Sequence, residues 1–244
     1  MILKLSKERI KNLENFKKFI VKSIKKEYPS FSGDLSLLHK CIEKNNLNKT
    51  RFRLFNEINK NFKWEELIIK LCGNEIEKIH GRDLVIQSKI NLSIQIPNDE
   101  TSVLPLHTDC NSADSPFQTN IWIPLTNAFG TNSMIVLNKT KSLNYFKKIK
   151  DKKKEIIQIK NKASDFINVK YGNILLFNPA MLHGNIINKT NRTRVSLNVR
   201  VKSPFSPEAD DRNPDRRLGT YYKVLKISDD TKYALELIKT GFFK

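Results

Sequence analysis

Hydrophobic positions divide the chain into two parts with different periodicity. In the first part, apolar side chains recur every three or four positions, which predicts an amphipathic helix over residues 3–28 through Ile10, Leu13, Phe16, Phe19, Ile20 and Ile24. Asp34 is expected to cap a second helix, a third is expected around residues 52–58, and a short one from Trp64 ends at Gly73. Residues 1–82 are therefore predicted to form a helical N-terminal layer.

Beyond residue 83, short apolar or alternating segments replace the helical pattern. The stretch DLVIQSKINLSIQIP places Asn91, Ser93 and Gln95 on one face and branched aliphatic residues on the other. Segments of the same kind follow between Pro, Gly, Asn and Asp residues: SVLPLHTD, QTNIWIPLTN, SMIVLN, IIQIK, GNILLFNP, HGNIIN and RVSLNVRVK. Short strands without long helices between them favour an antiparallel sandwich or jelly roll.

Length and composition fit one well-packed domain. The 244 residues are 39% hydrophobic and include 14 Phe, which is ample for a core and argues against wholesale disorder. We expect a single domain over residues 1–244, mainly β with α. It would comprise the helical layer (1–82), a jelly-roll catalytic core (83–203) and a Pro-rich, charged C-terminal lid or tail (204–244).

Cysteine usage and the N-terminus bear on location. Cys41, Cys72 and Cys110 are odd in number and widely spaced, which argues against a disulfide framework or a cysteine zinc site and favours a reducing cytoplasm. The N-terminal residues carry charges every few positions, so no signal peptide is expected. The sequence contains no run of eighteen apolar residues, so no membrane span is expected either.

The net charge of +19 raises the question of nucleic-acid binding. Only 10 of the 44 basic residues are Arg, and the lysines are spread along a chain that is also rich in Ile and Asn, as an A/T-rich genome produces. Basic clusters near residue 25 and at residues 146–162 lack the interleaved aromatic residues of a base-stacking platform. Solvated faces are therefore the first interpretation, and contact with a polyanion or a membrane surface is the second.

The stretch LPLHTDCN contains the first candidate for metal chemistry. On a strand, His107 and Asp109 point to the same face because side chains alternate with period two. A third ligand is available in His183, just beyond the apolar strand GNILLFNP. Two His and one carboxylate form the facial triad of non-heme Fe(II) oxygenases, which leaves three positions for a bidentate cosubstrate and O₂.

A cation for the cosubstrate is available eleven residues beyond His183. A hairpin return from His183 would bring Arg194 and Ser196 back beside the metal. Arg meets a carboxylate with two parallel hydrogen bonds and does not lose its charge, so Arg194 is predicted to anchor the distal carboxylate of 2-oxoglutarate. Ser196 faces the same way and is expected to donate to the same carboxylate.

The chain resembles the Fe(II)/2-oxoglutarate-dependent dioxygenases of the phytanoyl-CoA hydroxylase type. More closely, it resembles the oxygenases encoded in sporadically distributed carbohydrate-biosynthesis clusters. The similarity lies in DLVIQSKINLSIQIP, LPLHTDCNSADSPFQTNIWIPL, TNSMIVL, YGNILLFNPAMLHGN and the segment from RVSLNVRVKSPFSPEAD to RRLGTYY.

This resemblance implies that His107, Asp109 and His183 bind iron, that Arg194 anchors 2-oxoglutarate and that Trp122 lines the cosubstrate pocket. It further implies hydroxylation of a saccharide or activated sugar of cell-envelope or secondary metabolism. The chain reads LNKTKS where the broader phytanoyl-type pattern has a P-G-S-H-like turn, which weakens any transfer of substrate preference.

Three further residues have two interpretations each. Asn91 is predicted to contact 2-oxoglutarate and Gln95 the substrate, unless their stripe is the solvent-facing side of an edge strand. Arg200 is a candidate for an anionic group of the substrate, or an ordinary strand residue. Two other functions stay open from sequence: a 2-oxoglutarate oxygenase that acts on nucleic acid, and a non-enzymatic jelly-roll binding protein. The sequence does not give the oligomeric state.

Overall fold

The computed structural model describes residues 1–151, 166–207 and 215–241. Within these ranges lie five α-helices: α1 (Lys7–Glu27), α2 (Lys44–Asn61), α3 (Trp64–His80), α4 (Lys139–Asp151) and α5 (Asp229–Lys239). Short 3-10 helices lie at Leu35–Lys40, Asp109–Ser112 and Gly130–Asn132. The strands of the same ranges are β1 (Ile2–Lys4), β2 (Leu84–Gln87), β3 (Asn91–Gln95), β4 (Thr119–Pro124), β5 (Ile135–Val136), β6 (Asn173–Phe177), β7 (His183–Gly184), β8 (Arg194–Lys202) and β9 (Tyr222–Lys226).

Strand β8 organises the main sheet. In the order β1-β6-β4-β8-β2-β9, all neighbours pair antiparallel. One edge of β8 pairs with β4, and the other pairs first with β3 and then with β2. Strands β5 and β7 form a separate two-stranded antiparallel sheet. The predicted antiparallel, sheet-rich fold with several helices is therefore confirmed.

The two faces of the main sheet have different roles. Alternate residues of β8 from Val195 to Val201 pack with buried residues of α1, α2 and α3 in the largest hydrophobic cluster. On the opposite face, a smaller cluster contains Trp122, Leu175 and Phe177. Because strand side chains alternate, the polar residues of β8 share this second face. The helices therefore cover one side of the sheet, and the candidate site lies on the other.

The helical layer differs from the prediction at its boundaries. Helix α1 begins at Lys7 because the residues before it pair with β6. Asp34 caps a short 3-10 helix, accepting a hydrogen bond from Ser36 N at 2.9 Å. The predicted helix end at Gly73 corresponds to a kink in α3: Cys72 has non-helical backbone angles (φ −152°, ψ 20°), and a second helical segment with the buried Ile76 continues to His80.

The segment with the first two candidate ligands also differs from the prediction. His107 forms an isolated bridge with His183, and Asp109 begins a 3-10 helix, so the two residues do not share a regular strand. The predicted stretch DLVIQSKINLSIQIP forms two strands, β2 and β3. The predicted strand IIQIK lies outside the described residues.

The C-terminal segment was expected to form a lid or tail over the surface. Instead, β9 adds to the edge of the main sheet beside β2, and α5 follows it. Ser228 caps α5 and donates to Asp83 at the start of the sheet. Part of the C-terminal segment thus belongs to the main sheet. The expected boundary between the core and the lid at residue 204 stays a prediction. Among the helices of the described ranges, none has the length and apolar character of a membrane span.

Candidate active site

His107 and His183 are brought together by their own backbones. Each residue donates its N–H to the carbonyl oxygen of the other, both at 2.9 Å, and the ring centroids lie 4.4 Å apart. The next residue, Gly184, packs against the backbone that leads to His107. A Cβ at this position would lie 2.7 Å from Leu104 O and 2.9 Å from Leu106 N, closer than real side chains approach. Glycine therefore permits the close approach of the two segments.

Asp109 completes a cluster of three potential metal ligands. Its Oδ1 lies 3.5 Å from His107 Nε2 and 3.6 Å from His183 Nε2. One ligand atom from each residue falls within 4.8 Å of the other two. The backbone N–H of Asp109 donates to Pro179 O at 3.1 Å, which fixes this residue to the loop before His183. The structure thus brings the three predicted ligands together, although not on one strand.

Both imidazole rings are oriented for metal binding. His107 Nδ1 lies 2.8 Å from Pro105 O, and His183 Nδ1 lies 2.9 Å from Met181 O. A carbonyl oxygen only accepts, so each Nδ1 carries a proton, and a ring that is deprotonated at Nε2 presents the lone pair of that nitrogen to a metal. These lone pairs point to the side of Asp109 Oδ1. Hydrogen bonds of this kind orient metal-binding histidines in proteins.

The second oxygen of Asp109 is held by other residues. Asn120 Nδ2 donates to Oδ2 at 2.6 Å, and Arg200 Nη2 lies 3.0 Å from the same atom. Burial alone would raise the pKa of the Asp109 carboxyl, but hydrogen bonds from His107 and His183 and the charge of Arg200 hold it well below its usual range. Asp109 is therefore a carboxylate, as a metal ligand must be.

Arg194 lies in the same cavity and is 3% exposed. Its Nη2 donates to Ser93 Oγ at 3.2 Å, and its guanidinium carbon lies 6.0 Å from the Trp122 ring centroid. Among the described residues, no group hydrogen-bonds Arg194 Nε or Nη1. Burial and the charge of Arg51 lower the pKa of Arg194 to about 10, so the side chain stays charged at neutral pH.

One cavity of about 180 Å³ connects the three ligands to Arg194. Trp122, Phe177, Asn198 and Ser93 line the space between them. Asn198 Oδ1 in this lining also lacks a partner within the described ranges, and so does the buried Ser196 Oγ, although Ser196 does not belong to the lining. The cavity therefore has a metal-binding end and a cationic end with unfilled hydrogen-bonding groups.

The other predicted site residues have different surroundings. Asn91 is half-buried opposite Asn198 in the β3–β8 pair, and it does not line the cavity as the described residues define it. Gln95 is fully buried and donates to Ile186 O at 2.6 Å, also outside that lining. Arg200 does line the cavity, but two carboxylates and Gln87 already surround its guanidinium.

The predictions did not include Asn120 or Asn198 as site residues, and Ser93 entered them only as part of the polar stripe with Asn91 and Gln95. A signal was present in the alternation of the strands. Asn120 precedes Trp122 by two positions on β4, and Asn198 follows Ser196 by two on β8, so each shares the face of a predicted site residue. The contact between Asn120 and Asp109 depends on the loop conformation after β3, which period-two patterns do not encode.

Comparison with known proteins supports the resemblance. No protein-family model matches the chain. The streptomycin biosynthesis protein StrG of Streptomyces griseus is 25% identical over 168 residues, which cover 66% of this chain and 68% of StrG. The solved structure of HygX from Streptomyces hygroscopicus, with nickel and 2-oxoglutarate bound, aligns over 92% of each chain at 13% identity with a TM-score of 0.51.

The apo structure of the non-heme monooxygenase ThoJ aligns over 93% of this chain and 79% of its own, at 14% identity and a TM-score of 0.49. The alignment with HygX shows that the two proteins share a fold. The predicted resemblance is therefore confirmed at the level of the fold, which this chain shares with a protein solved with nickel and 2-oxoglutarate bound.

Proposed function

We propose that the protein is a non-heme Fe(II)/2-oxoglutarate-dependent dioxygenase built on a double-stranded β-helix. The observation that carries the proposal is the pairing of two features in one cavity. A cluster of two histidines and one carboxylate, of which His183 and Asp109 are buried, lies at one end, and a buried arginine with unfilled donors lies at the other. A buried charge without a partner is costly, so Arg194 requires an anion.

The ligand set fits Fe(II). Neutral imidazole and carboxylate suit this ion, and three protein ligands leave positions open for other molecules. When bound, iron and 2-oxoglutarate supply a two-electron oxidation that consumes O₂ and converts 2-oxoglutarate to succinate and CO₂. We assign His107, Asp109 and His183 to the metal, through Nε2, Oδ1 and Nε2.

The remaining residues of the cavity orient the cosubstrate. Arg194 offers Nε and Nη1 to the distal carboxylate, and Ser196 offers its hydroxyl beside them. Trp122 lies beside Arg194 and would pack against the cosubstrate chain, whereas Phe177 lies against the His183 ring at the metal end. An enclosed site of this kind excludes water from the reacting groups.

We further propose that the substrate is a saccharide or an activated sugar and that the reaction is its hydroxylation. The similarity to StrG, which is named for streptomycin biosynthesis, supports a sugar pathway. The small cavity supports a small-molecule substrate. A cytoplasmic location stays a prediction from the cysteine pattern.

Product formation tests this proposal. Protein loaded with Fe(II) is supplied with 2-oxoglutarate and O₂, and succinate and O₂ use are measured with and without a panel of free and nucleotide-activated sugars. We expect slow basal succinate formation that is stimulated by a member of the panel and is absent in His183→Ala. Stimulation by single-stranded oligonucleotides instead of sugars would identify a nucleic-acid oxygenase. Binding of 2-oxoglutarate without any O₂ use would identify a non-enzymatic binding protein.

A further inference from the structure

Asp109 presents its two carboxylate oxygens to different groups. Oδ1 faces His107 and His183, whereas Oδ2 accepts from Asn120 Nδ2 at 2.6 Å and lies 3.0 Å from Arg200 Nη2. The carboxylate is 4% exposed, so solvent does not compete for either atom. A carboxylate that turns freely can offer either oxygen, or both, to a metal. In Asp109, Oδ2 already binds Asn120 and Arg200, so only Oδ1 is available to a metal.

We propose that Asn120 is a positioning residue that keeps Asp109 a one-oxygen metal ligand. This inference rests on the proposed function, since it presupposes the metal site. Asn120 is fully buried on β4, and register pairs fix its backbone to Phe177 on one side and Arg200 on the other. Its amide therefore reaches Oδ2 from a rigid strand, whereas Asp109 itself lies in a short 3-10 helix.

Arg200 supports the same oxygen from a second direction. Its Nη1 donates to Gln87 Oε1 at 3.1 Å, and its Nε lies 3.1 Å from Asp114 Oδ2. Asp114 is in turn 3.1 Å from Arg216 Nη1. All three sides of the guanidinium thus face groups of the protein. Arg200 is therefore placed to hold Asp109, and its candidate role toward an anionic group of the substrate stays a prediction.

A substitution of Asn120 tests positioning without a change of charge, whereas a substitution of Arg200 changes both. Removal of Arg200 frees Asp109 but also removes a positive charge near the metal, and these two changes act on metal affinity in opposite directions. Asn120 is neutral, so its removal changes only the hydrogen bond. Its Oδ1 has no partner among the described residues, so an apolar side chain of similar size removes only the donor to Asp109 Oδ2, which Arg200 still contacts.

The experiment compares Asn120→Leu with Thr119→Val. Thr119 is the neighbouring buried residue on β4, and its hydroxyl contacts His80 Nε2 at 2.9 Å away from the metal ligands. Affinity for Ni(II) is measured by calorimetry, and the visible absorption spectrum of the Co(II)-loaded protein reports the ligand geometry. We expect Asn120→Leu to weaken Ni(II) binding by about 10- to 100-fold, as loss of an outer hydrogen bond to a metal ligand does, and to change the Co(II) spectrum.

Thr119→Val is expected to keep both properties. Once Ni(II) is saturating, Asn120→Leu should bind 2-oxoglutarate within about threefold of the wild type, because the contacts of Arg194 are unchanged. If Asn120→Leu does not fold, Asn120→Ala provides the same comparison without added bulk. If Asn120→Leu has the same Ni(II) affinity and Co(II) spectrum as the wild type, the inference about Asn120 is wrong, whereas the proposed function is unaffected. Failure of the wild-type protein to bind Ni(II) would instead overturn the proposed function.

Discussion

The two ends of the cavity differ in how completely the protein satisfies their polar groups. At the metal end, each histidine Nδ1 and Asp109 Oδ2 has a protein partner, and only the three ligand atoms face one another. At the cationic end, the described residues leave Nε and Nη1 of Arg194 without an acceptor. The chain thus orients its proposed metal ligands by itself, whereas two donors of Arg194 remain for the proposed carboxylate among the described residues.

The difference has an energetic consequence. A buried guanidinium without a counter-ion destabilises the fold, yet its pKa of about 10 keeps it charged at neutral pH. Binding of a dicarboxylate would supply the missing acceptors and would stabilise the folded state by mass action. Substitutions at the metal end should therefore affect metal binding first, and substitutions at the cationic end should affect the cosubstrate alone.

The largest effect is expected from His183→Ala, which removes one of three protein ligands. Ni(II) should no longer raise the melting temperature of this variant, because ligand stabilisation follows RT ln(1 + [L]/Kd). His80→Ala is the matched control, since His80 contacts Thr119 and lies outside the metal cluster. Stabilisation of His183→Ala by Ni(II) to the same extent as the wild type would show that the triad is assigned wrongly.

Arg194→Lys should affect the cationic end without changing metal affinity. Lysine keeps the charge but loses the planar fork, and a hydrogen bond to a charged group contributes about 1.5–3 kcal/mol. The apparent KM for 2-oxoglutarate is expected to rise by roughly 10- to 150-fold. Succinate formation at increasing 2-oxoglutarate concentrations measures the change, with the exposed Arg192→Lys as control. A large rise of this KM in Arg200→Lys but not in Arg194→Lys would show that the 2-oxoglutarate anchor is assigned to the wrong arginine.

The close approach of the histidine backbones is tested by Gly184→Ala. The new Cβ would overlap Leu104 O and Leu106 N, so the segments before His107 and after His183 must separate. Overpacking costs about 1–3 kcal/mol, which lowers the melting temperature by about 2–4 °C per kcal/mol in a chain of this size. Gly73→Ala in α3 is the control, because its Cβ meets only the Ile69 side chain at 3.4 Å. Equal melting temperatures and Ni(II) affinities for both variants would contradict this role of Gly184.

The smallest effect is expected from Ser196→Ala. Its buried hydroxyl lies on the Arg194 face of β8, and a neutral hydrogen bond contributes about 0.5–1.5 kcal/mol. The apparent KM for 2-oxoglutarate should therefore rise about 2- to 10-fold, with unchanged Ni(II) affinity. An unchanged KM would show that Ser196 does not contact the cosubstrate.

The sequence was informative where side-chain alternation and spacing decide geometry. The period of two on β8 places Arg194 and Ser196 on one face, and the apolar strand before His183 places that residue near its end. Both features depend on local pattern, and both agree with the structure.

The features that sequence did not predict depend on contacts distant along the chain. Strand β1 forms because Ile2 pairs with Leu175, and β9 forms because Tyr222 pairs with Gln87. Asp109 reaches the histidines from a 3-10 helix that is held by Pro179 O and Asn120. No pattern in the residues around 109 specifies these partners, so both the strand assigned to Asp109 and the omission of Asn120 were errors of local reasoning.

The most direct test of the two-ended cavity compares two cosubstrate analogues. Calorimetry measures the binding of 2-oxoglutarate and of 2-oxopentanoate, which has a methyl group in place of the distal carboxylate, to the Ni(II)-loaded protein. We expect 2-oxopentanoate to bind roughly 10- to 150-fold more weakly to the wild type, and this difference should nearly disappear in Arg194→Leu, whose side chain has neither a charge nor a hydrogen-bond donor. Equal affinities of the wild-type protein for the two compounds, or a difference that survives in Arg194→Leu, would contradict the assignment of the cationic end to 2-oxoglutarate.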